Sequence, residues 1–179
     1  MRSTPTSSLL FQEFERLAEL CLNSLMPPTT DLLRDLEAEA PTLSPEALMN
    51  RICVRLAELP NFNWVGFYML AQEACHKVLL LGPYVGAPTP HIKIALNQGI
   101  CGAAVSQGQT IIVDDVNADP RYLACSLETK SEIVAPIRVR GQVVGEIDID
   151  SHAHAAFGPE ERNLVERCAE LVGRAMERP

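Results

Sequence analysis

Two cysteines and a run of acids are the residues of this chain best suited to chemistry. Cys101 lies in Gly99-Ile100-Cys101-Gly102, after an apolar strand-like run and at the start of a helix-like one; Cys125 lies in a polar loop over residues 121–130. A thiol at a helix start faces unpaired amide donors and the positive end of the helix dipole, which favour thiolate over thiol. Two such thiols can make and break a disulfide. The acids sit further on. In residues 143–150 (VVGEIDID), period two puts Val144, Glu146, Asp148 and Asp150 on one face of a strand, and Val143, Gly145, Ile147 and Ile149 on the other. Three carboxylates on one sheet face are costly to bury without a cation. Glu132 stands in the preceding strand-like run, residues 131–139.

Other reactive residue types have blander readings. Cys21 and Cys53 fall on apolar helix faces and read as small core hydrophobes. Cys75 and His76 read as an exposed turn, and His91, beside Pro90, as a surface residue. Asp114 and Asp115 end a strand and read as turn or cap residues. The chain has six cysteines and no CxxC or CxxH, so their spacing predicts no metal site.

The elements that must position these residues follow from periodicity. Residues 1–8 read as a disordered leader. Apolar residues at three- and four-residue spacings predict a helix over 9–25. A short acidic helix over 31–40, with Asp31 as its cap, is followed by a linker over 41–45. A third helix is capped by Ser44, carries Pro45 in its first turn and runs to about Leu59. Residues 63–71 form the first clear strand, with Trp64, Gly66 and Tyr68 on one face and Val65, Phe67 and Met69 on the other. A second strand over 77–81 returns as a hairpin, and residues 82–90 read as a Gly/Pro-rich pocket rim before strand character resumes over 91–95. A short helix over 100–107 and a strand over 110–113 come next. Strands over 131–139 and 143–150 meet at the tight turn Arg140-Gly141-Gln142, with Pro136 marking an edge or a bulge. A last helix opens at Pro159. Hairpin signals make the sheet mostly antiparallel, with helices packed on it: an α+β class in one domain.

Composition bounds the rest. At 179 residues and a net charge of −8, with no basic cluster, the chain is a poor match for nucleic acid or an anionic membrane. Its apolar runs are far short of a membrane span, and its first residues carry no signal-peptide pattern, so the expected location is cytoplasmic. There, thiols stay reduced unless they work in redox chemistry.

Residues 63–68 (NWVGFY), 81–84 (LGPY), 99–102 (GICG), Ala124-Cys125, 131–136 (SEIVAP) and 145–151 (GEIDIDS) together resemble the free methionine-(R)-sulfoxide reductases, which are GAF-domain enzymes. The resemblance covers roughly residues 60–175, and the two cysteines, the Trp strand, SEIV and DIDS make it specific. It implies one GAF-like domain over residues 9–179 and an enzyme without cofactor or metal. Such an enzyme reduces free L-methionine-(R)-sulfoxide through a sulfenic acid and a disulfide that thioredoxin re-reduces. By the resemblance Cys125 is the nucleophile and Cys101 its partner, although the helix-start setting of Cys101 leaves the reverse order open. Glu132, Asp148 and Asp150 correspond to substrate-binding carboxylates for the free ammonium, with Asp150 or Glu132 as proton donor. Trp64 and Tyr68 contact the methyl and thioether end, and amides near Cys125 or in the Pro-rich loop hold the carboxylate. A homodimer paired through terminal helices is also implied. The chain departs from the family in one place: a third cysteine, frequent after the Gly-Pro-aromatic motif, is replaced here by the thiol-free run of residues 86–93. The sulfenic acid then falls to Cys101 and Cys125 alone, or to an external thiol. The rival reading is a non-catalytic GAF sensor or ligand-binding module.

Overall fold

The computed structural model describes residues 28–178 except Ala74, Asn97 and Cys125. The expected leader, the expected helix over 9–25 and Cys125 therefore lie outside the described residues. Among the described residues, four α-helices, α1 (Pro28–Glu39), α2 (Pro45–Leu56), α3 (Gly99–Gln107) and α4 (Pro159–Glu177), accompany six strands. These are β1 (Trp64–Glu73), β2 (His76–Val85), β3 (Lys93–Ala95), β4 (Ile111–Val113), β5 (Ser131–Val139) and β6 (Gln142–Ser151). The strands form one sheet in the order β3-β2-β1-β6-β5-β4, and every neighbouring pair is antiparallel.

The sheet separates two apolar layers. On one side, Val65, Phe67, Ile133, Ile137, Ile147 and Ile149 pack against α1, α2 and α4. Leu36, Leu48, Ile52 and Leu56 are fully buried there, each worth roughly 1.5–3 kcal/mol of burial. Cys53 and Cys168 belong to the same layer, and burial pushes both thiols up to about 12, which makes them inert packing residues. On the other side, Trp64, Tyr68, Leu79 and Val134 pack against α3 through Ile100, Cys101, Ala104 and Val105.

The local signals behind these elements are identifiable. Ser44 caps α2 by accepting from the Ala47 amide at 3.2 Å, with Pro45 next. Glu161 accepts from the Gly158 amide at 2.8 Å at the start of α4. Arg140 and Gly141, both at positive φ, make the two-residue β5–β6 hairpin. Pro136 sits past the end of the short β4 partner, so its missing amide leaves no gap in that ladder.

Several expectations need correction. α1 starts at Pro28, so Asp31 is a first-turn acid paired with Arg34 and not the cap. The linker over 41–45 contains a 3₁₀ turn, Ala40–Thr42. β2 continues to Val85, so Gly82, Pro83 and Tyr84 are strand, and the rim narrows to residues 86–90. A bulge also interrupts β6. Ile137 pairs with Gly145 and Arg138 with Val143, which leaves Val144 as the extra residue. Val144 therefore packs against the helical core, and Val143 against the layer of α3, the reverse of strict alternation.

Candidate active site

The acids come together because β5 and β6 are adjacent. Glu132 faces Asp150 directly across the pair, and Val134 faces Asp148, one step along the same face. Across the β1–β6 pair, Trp64 opposes Asp150, Gly66 opposes Asp148 and Tyr68 opposes Glu146. Glu132, Glu146, Asp148 and Asp150 are all buried, at 5%, 0%, 2% and 4% exposure. No lysine or arginine pairs with any of them among the described residues. The nearest cationic influence on Glu132 is Arg121, whose guanidinium is already held by Asp119 at 2.6 and 2.9 Å.

Burial without a counter-ion raises the proton affinity of the whole group. It pushes Asp148 up to about 7. Glu132, Glu146 and Asp150 lie well above the usual carboxylate range, from desolvation first and then from the charge of neighbouring acids. The four carboxyls thus all keep protons to higher pH than exposed acids do and act as one titrating cluster.

α3 lays its thiol on this cluster. The Cys101 thiol is directed at Asp148 Oδ2, 3.6 Å away, and Glu132 Oε1, 3.8 Å away. Gly102 lets α3 pack closely on the end of β3 just before it: a Cβ there would meet the backbone oxygens of Leu96 and Ala95 at 2.8 and 3.0 Å. Sequence reasoning placed this thiol before helix-start amides; the structure adds carboxyl groups that nothing near Cys101 in the chain signals. Cys101, Glu132 and Asp148 are also the residues among those described that could hold a metal ion.

An aromatic wall completes the site. Trp64 stacks on Tyr68 at 6.3 Å and on Tyr84 at 5.6 Å between ring centroids. Its indole N–H donates to the Ala87 carbonyl at 3.1 Å, and the Tyr68 hydroxyl donates to the His91 carbonyl at 2.8 Å. Both bonds tie the wall to the Gly/Pro-rich rim. Gly86, at φ +139°, lets that rim pass the indole; a Cβ there would meet Trp64 Cδ1 at 2.4 Å. The rim also meets the loop just before position 125 in the chain: His91 Nε2 lies 3.0 Å from the Ala124 carbonyl oxygen. The Tyr122 hydroxyl donates to the Ser126 carbonyl at 3.2 Å on the other side of that position. Cys125 itself is outside the described residues, so of the expected site the structure brings together Cys101, Glu132, Asp148, Asp150, Trp64 and Tyr68. Sequence reasoning put Glu146 on the acidic face but gave it no role; its place in the period-two run was the available signal.

Comparison with known proteins places this arrangement. The GAF domain family matches residues 44–176. The free methionine-R-sulfoxide reductase of Escherichia coli is 34% identical over 79% of this chain and 84% of its own. The type II free methionine-R-sulfoxide reductase from Thermoplasma acidophilum is 39% identical, covering 73% of this chain and 91% of that one, with a TM-score of 0.69. The chain belongs to the GAF-domain family of free methionine-R-sulfoxide reductases. A further neighbour is the family's Neisseria meningitidis enzyme, solved in complex with its substrate; it has a TM-score of 0.77 and 29% identity over 83% of this chain and 88% of its own. No helix among the described residues is long and apolar enough to cross a membrane.

Proposed function

We propose that this protein reduces free L-methionine-(R)-sulfoxide to L-methionine. The observation that carries the reading is a buried acidic cluster with no counter-ion among the described residues, set between a thiol and an aromatic wall. A free α-ammonium supplies the missing charge. A residue inside a peptide has no such group, so the cluster selects the free amino acid. Trp64 and Tyr68 face the methyl and thioether end, and Asp148 and Asp150, with Glu132, hold the ammonium.

In the proposed cycle, Cys125 attacks the sulfoxide sulfur as thiolate. The departing oxygen is a poor leaving group unless protonated, and Glu132 or Asp150, held protonated by burial, is suited to donate. The protonated oxygen passes from the substrate sulfur to the Cys125 sulfur as the bond between the two sulfurs breaks; methionine leaves with that bond's electron pair, and Cys125 is left as the sulfenic acid. The Cys101 thiol condenses with it, forming the disulfide and releasing water. Thioredoxin then reduces the disulfide by exchange. A homodimer paired through the terminal helices and a cytoplasmic location belong to the same reading. The chain run without a third cysteine leaves the Cys101–Cys125 pair as its internal route.

The test is incubation of the reduced protein with free methionine-(R)-sulfoxide and thioredoxin, with methionine as the readout. Turnover of the free R form, with little of the S form or of N-acetylated substrate, is expected. Tight binding without turnover would favour a GAF-type ligand sensor, and equal turnover of the N-acetylated substrate would overturn the role given to the ammonium.

A further inference from the structure

We infer that the same acidic floor is a zinc site, formed by Cys101, Glu132 and Asp148. One ligand atom from each of the three residues lies within 4.8 Å of the other two. The Cys101 sulfur is 3.6 Å from Asp148 Oδ2 and 3.8 Å from Glu132 Oε1. With Zn–S near ~2.3 Å and Zn–O near ~2.0 Å, sulfur and oxygen ligands of a tetrahedral zinc stand about 3.5 Å apart. The two sulfur–oxygen edges of the proposed site, 3.6 and 3.8 Å, are thus within a few tenths of an ångström of that spacing.

A second, independent observation points to a cation. Asp148 Oδ1, on one of the three ligand residues, is buried and has no hydrogen-bond partner among the described residues, and the same holds for both carboxyl oxygens of Glu146. Glu146 has no exposure and stands two residues from Asp148 on the acidic face of β6. Orphaned polar atoms of this kind are costly, and a divalent ion bound through Asp148 would offset the charge gathered around them. The sulfur donor selects the metal class. Calcium and magnesium seek six or more hard oxygens, whereas one thiolate with carboxylates suits zinc.

Binding releases the Cys101 proton, and any protons the carboxyls carry, to solvent; nothing is oxidised or reduced. A zinc ion here occupies the resolving thiol and the substrate acids at once. If the reductase reading holds, zinc is therefore a reversible inhibitor that competes with the substrate ammonium; the zinc site itself does not depend on that reading.

The test titrates zinc chloride into the full-length reduced protein, without sulfoxide, against a chromophoric zinc chelator. Cobalt(II) serves as a spectroscopic probe of thiolate ligation. One zinc per chain and a sulfur-to-cobalt charge-transfer band are expected. Cys101→Ser should remove the band, and Asp148→Asn and Glu132→Gln should each weaken zinc binding by about tenfold or more. Cys75→Ser, at the exposed turn, should change nothing. Circular dichroism of each variant separates lost ligands from lost fold. Zinc retained by Asp148→Asn and Glu132→Gln would overturn the proposal, since a pair of thiols alone would then be the site. So would loss of binding in Cys75→Ser. Because no turnover is read, a failure here leaves the reductase reading standing, and a failure of turnover leaves the zinc result standing.

Discussion

Replacing Asp148 by Asn should stabilise the ligand-free protein at neutral pH and above, by an amount the structure bounds. Asp148 is 2% exposed, has no cationic partner among the described residues, and is pushed from an ordinary value of 3.8 up to about 7 by burial. In the unfolded chain it ionises near its ordinary value; in the fold it keeps its proton to near neutrality. The proton therefore stabilises the fold fully below about pH 4, and that contribution is lost as the pH rises toward about 7. About three pH units at ~1.4 kcal/mol each give a ceiling of about 4 kcal/mol. It is a ceiling because Glu132, Glu146 and Asp150 take up part of the same protons. Asparagine has the same shape, still accepts from the Cys101 thiol and cannot ionise. The variant minus wild-type difference should be within about 1 kcal/mol at pH 4. It should grow through pH 5 to 7 and level off near pH 8. At roughly 2–4 °C per kcal/mol for a chain of this size, the full effect is about 8–16 °C in Tm. Thermal unfolding of both proteins across pH 4 to 8, without substrate or metal, measures it. A difference that does not change with pH, or that shrinks toward pH 8, would refute the buried-acid reasoning.

Other expectations are shorter. Gly66→Ala puts a Cβ 2.2 Å from the Trp64 ring, so the indole must swing away from the site; kcat/KM should fall while far-ultraviolet circular dichroism stays native, and tryptophan fluorescence should shift. Glu146→Met removes two buried orphan oxygens from a site opposite Tyr68; denaturant unfolding at pH 8 should show it stabilised by about 1–3 kcal/mol, and equal or lower stability would count against the orphan. Cys125→Ser should abolish turnover, whereas Cys101→Ser should release one methionine per chain and leave a sulfenic acid that dimedone labels; sustained turnover by Cys125→Ser would reverse the assignment. Activity of the wild type should hold through the acid range in which exposed carboxyls ionise, because burial raises Glu132 and Asp150 and the proton donor must hold its proton; a rate lost between about pH 4 and 6 through ionisation of a single acid would count against Glu132 and Asp150.

Much of this was legible in local sequence. The cap at Ser44, the two faces of β1 and the Arg140-Gly141 turn each follow from a few neighbouring residues, and the structure has them as expected. The acidic face of β6 was also legible, because period two is a local rule. The bulge at Val144 was not: it depends on how β6 registers against β5, and no residue of 142–145 announces it. The convergence of Cys101 with Glu132 and Asp148 was equally out of reach of spacing rules. It needs α3 to dock on two strands far along the chain, and no residue of α3 specifies which strands those are. Sequence spacing therefore suggested no metal ligands, although the folded chain groups three.

A single-turnover experiment tests the central claim most directly. The fully reduced protein is mixed with one equivalent of free methionine-(R)-sulfoxide and no external reductant, and methionine and the protein mass are measured together. The expected result is one methionine per chain, a mass lower by about 2 Da, and a peptide map joining Cys101 to Cys125. No methionine, or methionine accompanied by a disulfide that leaves out Cys101 or Cys125, would contradict it.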